Sequence, residues 1–247
     1  MTQLVGILNV TPDSFSDGGQ YFAAEAAIRH AERLFSDGAS LVDIGAESTR
    51  PGATPLTAQQ EWERLEPVLA DLLLRFDGKL SLDTYHPENA QKALTMGDII
   101  INDVTGMTNP AMVAVIVQHK ARCIISQLAA GGVQAAHTGT LIDDENIVLQ
   151  ALLAKRQLLA SQGVDPSSII FDPGIGFGKT PELNKRLLSF ARLMPGHKVM
   201  IGYSRKRFLG EDRMELAPNL RAGQIAIDSG ASYLRVHDVK GHSQLLY

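Results

Sequence analysis

The sequence predicts an α/β protein of the (β/α)₈ TIM-barrel class, and three observations lead to this prediction. The chain has 247 residues with 45% apolar content, which suits one barrel of this kind. Short β-branched runs alternate with segments of helical periodicity, which favours a parallel sheet covered on both faces. Eight such units favour closure into a barrel over an open sheet. We therefore expect a single domain over residues 1–247.

The strand candidates are short runs rich in Val, Ile and Leu, each followed by polar loop residues. They cover residues 3–9, 40–45, 79–83, 99–102, 122–126, 168–172, 198–202 and 232–237. Several helical segments begin with proline, which is tolerated in a first helical turn. Helices are predicted over residues 23–37, 57–75, 87–95, 110–119, 145–162, 181–194 and 216–228. Because only positions 238–247 follow His237, the final helix should be short or incomplete.

The first strand is followed by a Gly-rich polar loop that begins at Thr11-Pro12-Asp13. Proline fixes φ and removes a hydrogen-bond donor, so the strand should end near Asn9. In barrels of this class the active site is built at the C-terminal ends of the strands. Asn9 is therefore expected at an active-site rim, in front of a loop over residues 11–22.

Seven of the eight predicted strands end in, or are followed by, polar side chains that could do chemistry. They are Asn9, the segment 47–52, Asp83, Asn102 with Asp103, Asp172, Ser204 with Arg205 and Lys206, and Arg235 with His237. Each alone could equally be a helix cap, because Asp, Asn, Ser and Thr are favoured in such turns. Their recurrence at one end of the barrel favours a site.

These residues form two chemical sets. The first combines carboxylates, an amide and a cation, which suits a flat heterocycle with alternating donors and acceptors, such as a pterin. It consists of Asp83, Asn102, Asp172 and Lys206. The second set, Asn9, Arg235 and His237, lies on strands that become neighbours on closure and suits a diphosphate with a divalent metal. Asn9 offers one neutral oxygen, so diphosphate oxygens and water would hold most of such a metal.

The loop over residues 172–180 is similar to a nucleotide-binding P-loop, but three residues instead of four separate Gly174 from Gly178. This spacing favours a tight loop in which glycines let the backbone approach a ligand. Phe177 lies in the loop and is a substrate-binding candidate.

Composition argues against several classes of protein. The net charge of −4 gives no reason to expect nucleic acid or an anionic membrane as a partner. The single Cys123 cannot form a disulfide within the chain and is predicted to be buried. No leader or long apolar span is recognised, so a cytoplasmic protein is expected. Surface or capping roles are predicted for histidines that lack zinc-site spacing, namely His30, His86, His119, His137, His197 and His242.

The motifs and their order resemble those of the dihydropteroate synthases, a family of pterin-binding enzymes. The resemblance is carried by residues 6–19, 44–53, 82–85, 101–104, 172–180, 204–206 and 235–238. It implies a transferase of folate biosynthesis that condenses p-aminobenzoate with 6-hydroxymethyl-7,8-dihydropterin diphosphate and releases pyrophosphate with Mg²⁺. It also implies a sulfonamide target and a homodimer.

The same resemblance implies roles for individual residues. The first polar set would bind the pterin, and the second would bind the diphosphate and metal, with Asn9 as the metal ligand. The p-aminobenzoate would face Thr49, Arg50, Pro51 and Ser204. The residues implied to act in catalysis are Asp83, Asp172, Lys206, Arg235 and His237. Loops 11–22 and 46–57 would close over the substrates.

Two alternatives remain open at this point. One is a methyltetrahydrofolate-binding domain of a corrinoid methyltransferase, which would bind the edge of a pterin ring with the same residues. Such a domain has no need of the segment 49–52 or of the Arg235 and His237 pair. A non-catalytic pterin-binding paralogue would bind pterin without turnover. It is suggested by Ser126-Gln127, which stand where the family commonly has Met-His, and by the short C-terminal end.

Overall fold

Eight parallel strands form a closed barrel in the computed structural model, with neighbours in chain order from β1 to β8. The structure describes residues 1–10, 19–47, 54–128 and 140–246. The strands are β1 (Gln3–Asn9), β2 (Leu41–Gly45), β3 (Leu80–Asp83), β4 (Ile99–Asp103), β5 (Cys123–Ser126), β6 (Ile169–Asp172), β7 (Lys198–Ile201) and β8 (Tyr233–Val236). The predicted barrel class is confirmed.

Helices follow the strands along the described parts of the chain. They are α1 (Gly19–Ser36), α2 (Ala58–Phe76), α3 (Pro87–Met96), α4 (Pro110–His119), α5 (Glu145–Ser161), α6 (Pro181–Arg186), α7 (Leu216–Asp228) and α8 (Val239–Ser243). Short 3₁₀ segments cover Pro166–Ser168, Leu187–Leu193, Arg207–Leu209 and Gln244–Leu246. The final helix is short, as predicted. None of the described helices has the length and hydropathy that a membrane crossing requires.

Two predicted boundaries were wrong. The helix expected over residues 181–194 ends at Arg186 and continues as a 3₁₀ segment, in which Ser189 leaves helical geometry (φ −97°, ψ 16°). Helix α1 begins at Gly19, four residues before the predicted start at position 23, so the end of the predicted loop 11–22 is helical. Positions 11–18 and 48–53 lie outside the described residues.

Strand periodicity divides the core into two parts. Val5, Ile100, Ile170 and Met200 belong to a small buried cluster, and the alternate strand residues pack in the larger cluster with the helices. Alternate residues of a strand face opposite sides of the sheet, so the small cluster fills the barrel interior. Cys123 belongs to the larger cluster and is fully buried, as predicted, and burial raises the pKa of its thiol to about 12.

Candidate active site

The interior-facing side chains change from apolar to polar towards the C-terminal ends of the strands. Asn102 lies two residues after Ile100, and Asp172 lies two residues after Ile170, so each shares the face of a core residue. The same alternation places Asp83 and Arg235 inside the barrel mouth. Active sites of this fold are built at this end of the barrel.

Arg235 is held in the barrel interior by two carboxylates. Its Nε donates to Asp43 Oδ2 at 2.6 Å, and its Nη2 donates to Asp83 Oδ2 at 3.0 Å. Asp43 is fully buried in β2, where it also accepts from Ser81 Oγ at 2.5 Å and from Asn102 Nδ2 at 3.0 Å. Asp43 therefore orients two predicted site residues, Arg235 and Asn102.

Asp43 was not predicted as a site residue, because it lies in the middle of β2 and the predicted residues lie at strand ends. The available signal was an ionisable residue inside an otherwise apolar strand, Leu-Val-Asp-Ile-Gly. Such residues are rarely buried without a partner, so they indicate an internal ion pair.

The Asp83 carboxyl titrates near neutrality. Burial, and after it the negative charge of Asp43, raise its pKa to about 7, although Arg235 opposes both effects. A carboxyl of this kind can exist in either protonation state at physiological pH, which is a common property of groups in functional sites.

Asp172 and Lys206 form the opposite wall of the site. Asp172 Oδ1 accepts from Gly174 N at 2.7 Å, and burial raises the pKa of this carboxyl while Lys206 opposes the rise. Lys206 Nζ donates to Ile175 O at 2.5 Å and lies 5.1 Å from the centre of the Phe177 ring. Burial lowers the pKa of the ammonium to about 8, against the attraction of Asp172. The wall therefore presents one carboxylate and one cation to a ligand.

A second lysine supports this loop from behind. Lys179 is 5% exposed, and its Nζ donates to three backbone carbonyl groups, those of Gln127 at 3.0 Å, Gly174 at 2.9 Å and Phe177 at 3.0 Å. Burial lowers the pKa of its ammonium to about 7. Because the bonds join the end of β5 to the loop after β6, Lys179 positions the segment that carries Phe177. Its sequence signal was its position in the glycine-rich segment 172–180, which is similar to a P-loop but lacks the P-loop spacing.

Substitution of Gly174 by alanine should disrupt this loop. Gly174 has φ +67°, and a Cβ there would lie 2.0 Å from the backbone oxygen of Gln127. Gly196 has a similar φ of +79° but no atom within 4 Å of a Cβ, so Gly196→Ala isolates the backbone strain. We expect Gly196→Ala to cost about 1–2 kcal/mol and Gly174→Ala at least about 2 kcal/mol more, measured by urea unfolding. Equal losses would contradict the close contact at Gly174.

The remaining predicted residues lie around this centre. His237 Nδ1 is 3.0 Å from Ser204 Oγ, so the two candidates are paired after β8 and β7. Asn9 is exposed at the end of β1, and β1 pairs with β8 as the predicted closure requires. Thr49, Arg50 and Pro51 lie outside the described residues.

Two histidines depart from the predicted surface or capping roles. His242 is fully buried, and its Nδ1 lies 2.6 Å from Asp238 O. His86 occupies the N-cap position of α3, but its side chain makes no capping hydrogen bond and instead lies 3.5 Å from Glu47. The contact of His86 with Glu47 joins separate elements, so it was not visible in the sequence.

Comparison with known proteins identifies the family. The profile of a family described as pterin binding enzyme matches residues 5–237. The chain belongs to the pterin-binding enzyme family. A member in Synechocystis sp., named dihydropteroate synthase, is 38% identical and covers 99% of this chain and 88% of its own length. The Bacillus subtilis dihydropteroate synthase is 36% identical over 97% of this chain and 84% of its own.

Solved structures of pterin-binding enzymes share the whole barrel. The Xanthomonas albilineans dihydropteroate synthase with 4-aminobenzoic acid has a TM-score of 0.89 at 36% identity, covering 99% of this chain and 90% of that protein. The Yersinia pestis dihydropteroate synthase with a sulfonamide drug has a TM-score of 0.90 at 32% identity, covering 99% of this chain and 92% of that protein. The Burkholderia cenocepacia dihydropteroate synthase complexed with 7,8-dihydropteroate has a TM-score of 0.86 at 33% identity, covering 100% of this chain and 89% of that protein.

Proposed function

We infer that this chain is a dihydropteroate synthase, a transferase that condenses p-aminobenzoate with 6-hydroxymethyl-7,8-dihydropterin diphosphate in folate biosynthesis. The observation that carries this inference is the polar centre of the barrel mouth, where carboxylates, an amide, an ammonium and a guanidinium face one space. Relatives of the same name, similar over nearly the whole chain, support it.

The pterin would bind between the two walls of the site. The carboxylates of Asp83 and Asp172 would accept N–H groups of the heterocycle, and the amide of Asn102 can both donate and accept. Lys206 would donate to a ring nitrogen or oxygen. Asn102 donates to Asp43, and Lys206 donates to Ile175 O. These bonds hold both side chains in place before the substrate arrives, which is the preorganisation that electrostatic catalysis requires.

The reaction would begin with cleavage of the C–O bond to the diphosphate. The bonding electrons leave with the diphosphate oxygen, and a cationic methylene pterin remains, close to the negative charge of Asp172. The amine nitrogen of p-aminobenzoate then forms the new C–N bond and releases one proton to solvent water. Arg235 and His237 would stabilise the departing diphosphate, with the imidazole oriented by Ser204.

The donor chemistry near β1 is compatible with Mg²⁺ held mainly by the substrate. Asn9 is exposed at the strand end, and its amide oxygen can supply one ligand beside diphosphate oxygens and water. Bound Mg²⁺ would neutralise charge on the leaving diphosphate. We propose that p-aminobenzoate contacts Thr49, Arg50, Pro51 and Ser204. Phe177 is proposed as a further substrate contact.

We further propose a cytoplasmic homodimer that does not bind nucleic acid or membranes. Large apolar side chains are exposed on two helices, namely Ile147 and Leu158 on α5 and Leu216 and Ile225 on α7. Exposed apolar surface of this kind is characteristic of interaction sites. Light scattering on the purified chain would measure its mass directly.

The decisive experiment measures pyrophosphate release from the purified chain with dihydropterin diphosphate and Mg²⁺, with and without p-aminobenzoate. Release that requires the aminobenzoate and yields dihydropteroate is the expected result. Pterin binding without product would favour the non-catalytic paralogue. Methyltetrahydrofolate binding without any release would favour the corrinoid methyltransferase domain.

The Lys206 ammonium should impose a basic limb on the activity profile. Its lowered pKa of about 8 means that the charge is lost as pH rises through that value. We expect kcat/KM to fall above about pH 8 because the group that donates to the pterin becomes neutral. In Lys206→Arg the charge persists, so the activity should be lower but the limb should move to higher pH. An unchanged limb in Lys206→Arg would assign it to another group, such as Lys179.

A further inference from the structure

A cluster of metal-ligating side chains lies outside the polar centre of the barrel. Glu47 follows β2, Glu61 lies in the first turn of α2, and His86 precedes α3. One ligand atom from each of the three lies within 4.8 Å of the others. The cluster therefore joins three separate elements at the rim of the barrel.

Both carboxylates of the cluster are oriented by neighbouring donors. Tyr85 donates its hydroxyl to Glu47 Oε1 at 2.5 Å. Glu61 Oε2 accepts from Thr84 Oγ1 at 2.6 Å and from Asn89 Nδ2 at 2.7 Å. Outer hydrogen bonds of this kind fix the ligating carboxylates of metal sites.

Two atoms at the centre of the cluster lack a hydrogen-bond partner among the described residues. Glu47 Oε2 and His86 Nε2 are both buried, and they face each other at 3.5 Å. The Glu47 side chain is 8% exposed and the His86 side chain 17%. A buried carboxylate oxygen without a hydrogen-bond donor is costly, and a metal ion between these two atoms would remove that cost.

We propose that Glu47, Glu61 and His86 bind a divalent transition-metal ion, with Zn²⁺ as the representative species. One imidazole and two carboxylates suit zinc, whereas Mg²⁺ and Ca²⁺ prefer ligand sets made only of oxygen. Water would complete the tetrahedral shell. Bonds of about 2.0–2.1 Å place tetrahedral ligands roughly 3.3 Å apart, so the side chains would move inward by about 1 Å.

The consequence would be structural. Glu47 immediately precedes the segment 48–53, which carries Thr49, Arg50 and Pro51. A metal on Glu47 would join the end of β2 to α2 and α3. The proposal does not depend on the pterin reaction, because the three ligands are separate from the residues that we assign to it.

The competing arrangement is an ion pair between Glu47 and protonated His86, which needs no metal.

A zinc titration of the purified full chain distinguishes the metal site from the ion pair between Glu47 and His86. After chelator treatment and dialysis, the chain would be titrated with Zn²⁺ against a chromophoric chelator, in the absence of pterin and aminobenzoate. We expect one tight equivalent in the parent chain. His86→Gln should weaken that equivalent at least about tenfold, since the nitrogen ligand is lost. His119→Gln, at the end of α4 and outside the cluster, should leave it unchanged.

A second variant tests whether misfolding causes the loss of zinc binding. Glu47→Gln keeps an oxygen for the Tyr85 hydroxyl but removes the charge, and its circular dichroism and unfolding curve would be compared with those of the parent. Loss of the zinc equivalent in both folded variants supports the site. An absent equivalent in the parent, or one that survives both substitutions, overturns the proposal, whether or not the chain turns over pterin.

Discussion

Replacement of Asp172 by asparagine should lower kcat by about 10²–10³-fold, because one preorganised charge beside the developing cation is lost. Asparagine has nearly the same shape, and its Oδ1 can still accept from Gly174 N, which Asp172 does at 2.7 Å. The loop geometry should therefore persist. The loss of charge also removes the partner that supports the protonated form of Lys206.

The chain offers a matched control for this variant. Asp165 likewise accepts from the backbone N–H two residues later, that of Ser167 at 2.8 Å, but it is exposed at the start of a 3₁₀ turn. Asp165→Asn should leave kcat unchanged. Both variants would be assayed for pyrophosphate release and for pterin affinity by calorimetry. Parental kcat in Asp172→Asn would remove this carboxylate from the mechanism.

Most of the fold could be predicted because its strands are distinct in composition. The β-branched runs are short and end near polar residues, so every predicted strand boundary lies within one residue of the one observed. The failures arose where composition was ambiguous. Gly19, at the start of α1, follows another glycine, so the segment has the composition of a loop although it begins a helix. The helix is broken at Ser189, between the buried residues Leu188 and Phe190, and local propensity does not encode this break.

The candidate site was only partly predictable for a related reason. Residues such as Asn102 and Asp172 are conspicuous because they end apolar strands on the interior face. Asp43 shares that face but lies deeper, and its role depends on reaching Arg235 at the far end of the chain. Glu47, Glu61 and His86 are separated by loops and helices in the sequence, so no spacing rule connects them. Contacts across the barrel require the closed sheet, which one-dimensional patterns do not contain.

Removal of the Asp43 side chain should be the most destabilising change in the site. In Asp43→Ala, the Arg235 guanidinium loses its 2.6 Å partner, and Ser81 and Asn102 lose their acceptor. Removing one partner of a buried ion pair costs about 3–5 kcal/mol when the other charge is left unpaired. Asp83 still accepts from Arg235 at 3.0 Å, so we expect the loss to lie at the lower end of this range, about 3 kcal/mol. Urea unfolding would measure this loss. Asp43→Asn, which keeps an acceptor, should lose less, about 1–3 kcal/mol.

An exposed ion pair supplies the comparison. Asp98 and Arg122 lie 3.2 Å apart with side chains 63% and 37% exposed, so Asp98→Ala should cost at most about 1 kcal/mol. If the buried ion pair explains the loss of stability in Asp43→Ala, the double variant Asp43→Ala with Arg235→Met should be more stable than the sum of the two single losses predicts. Strict additivity would mean that Asp43 stabilises the chain through its bonds to Ser81 and Asn102 instead of through its pair with Arg235.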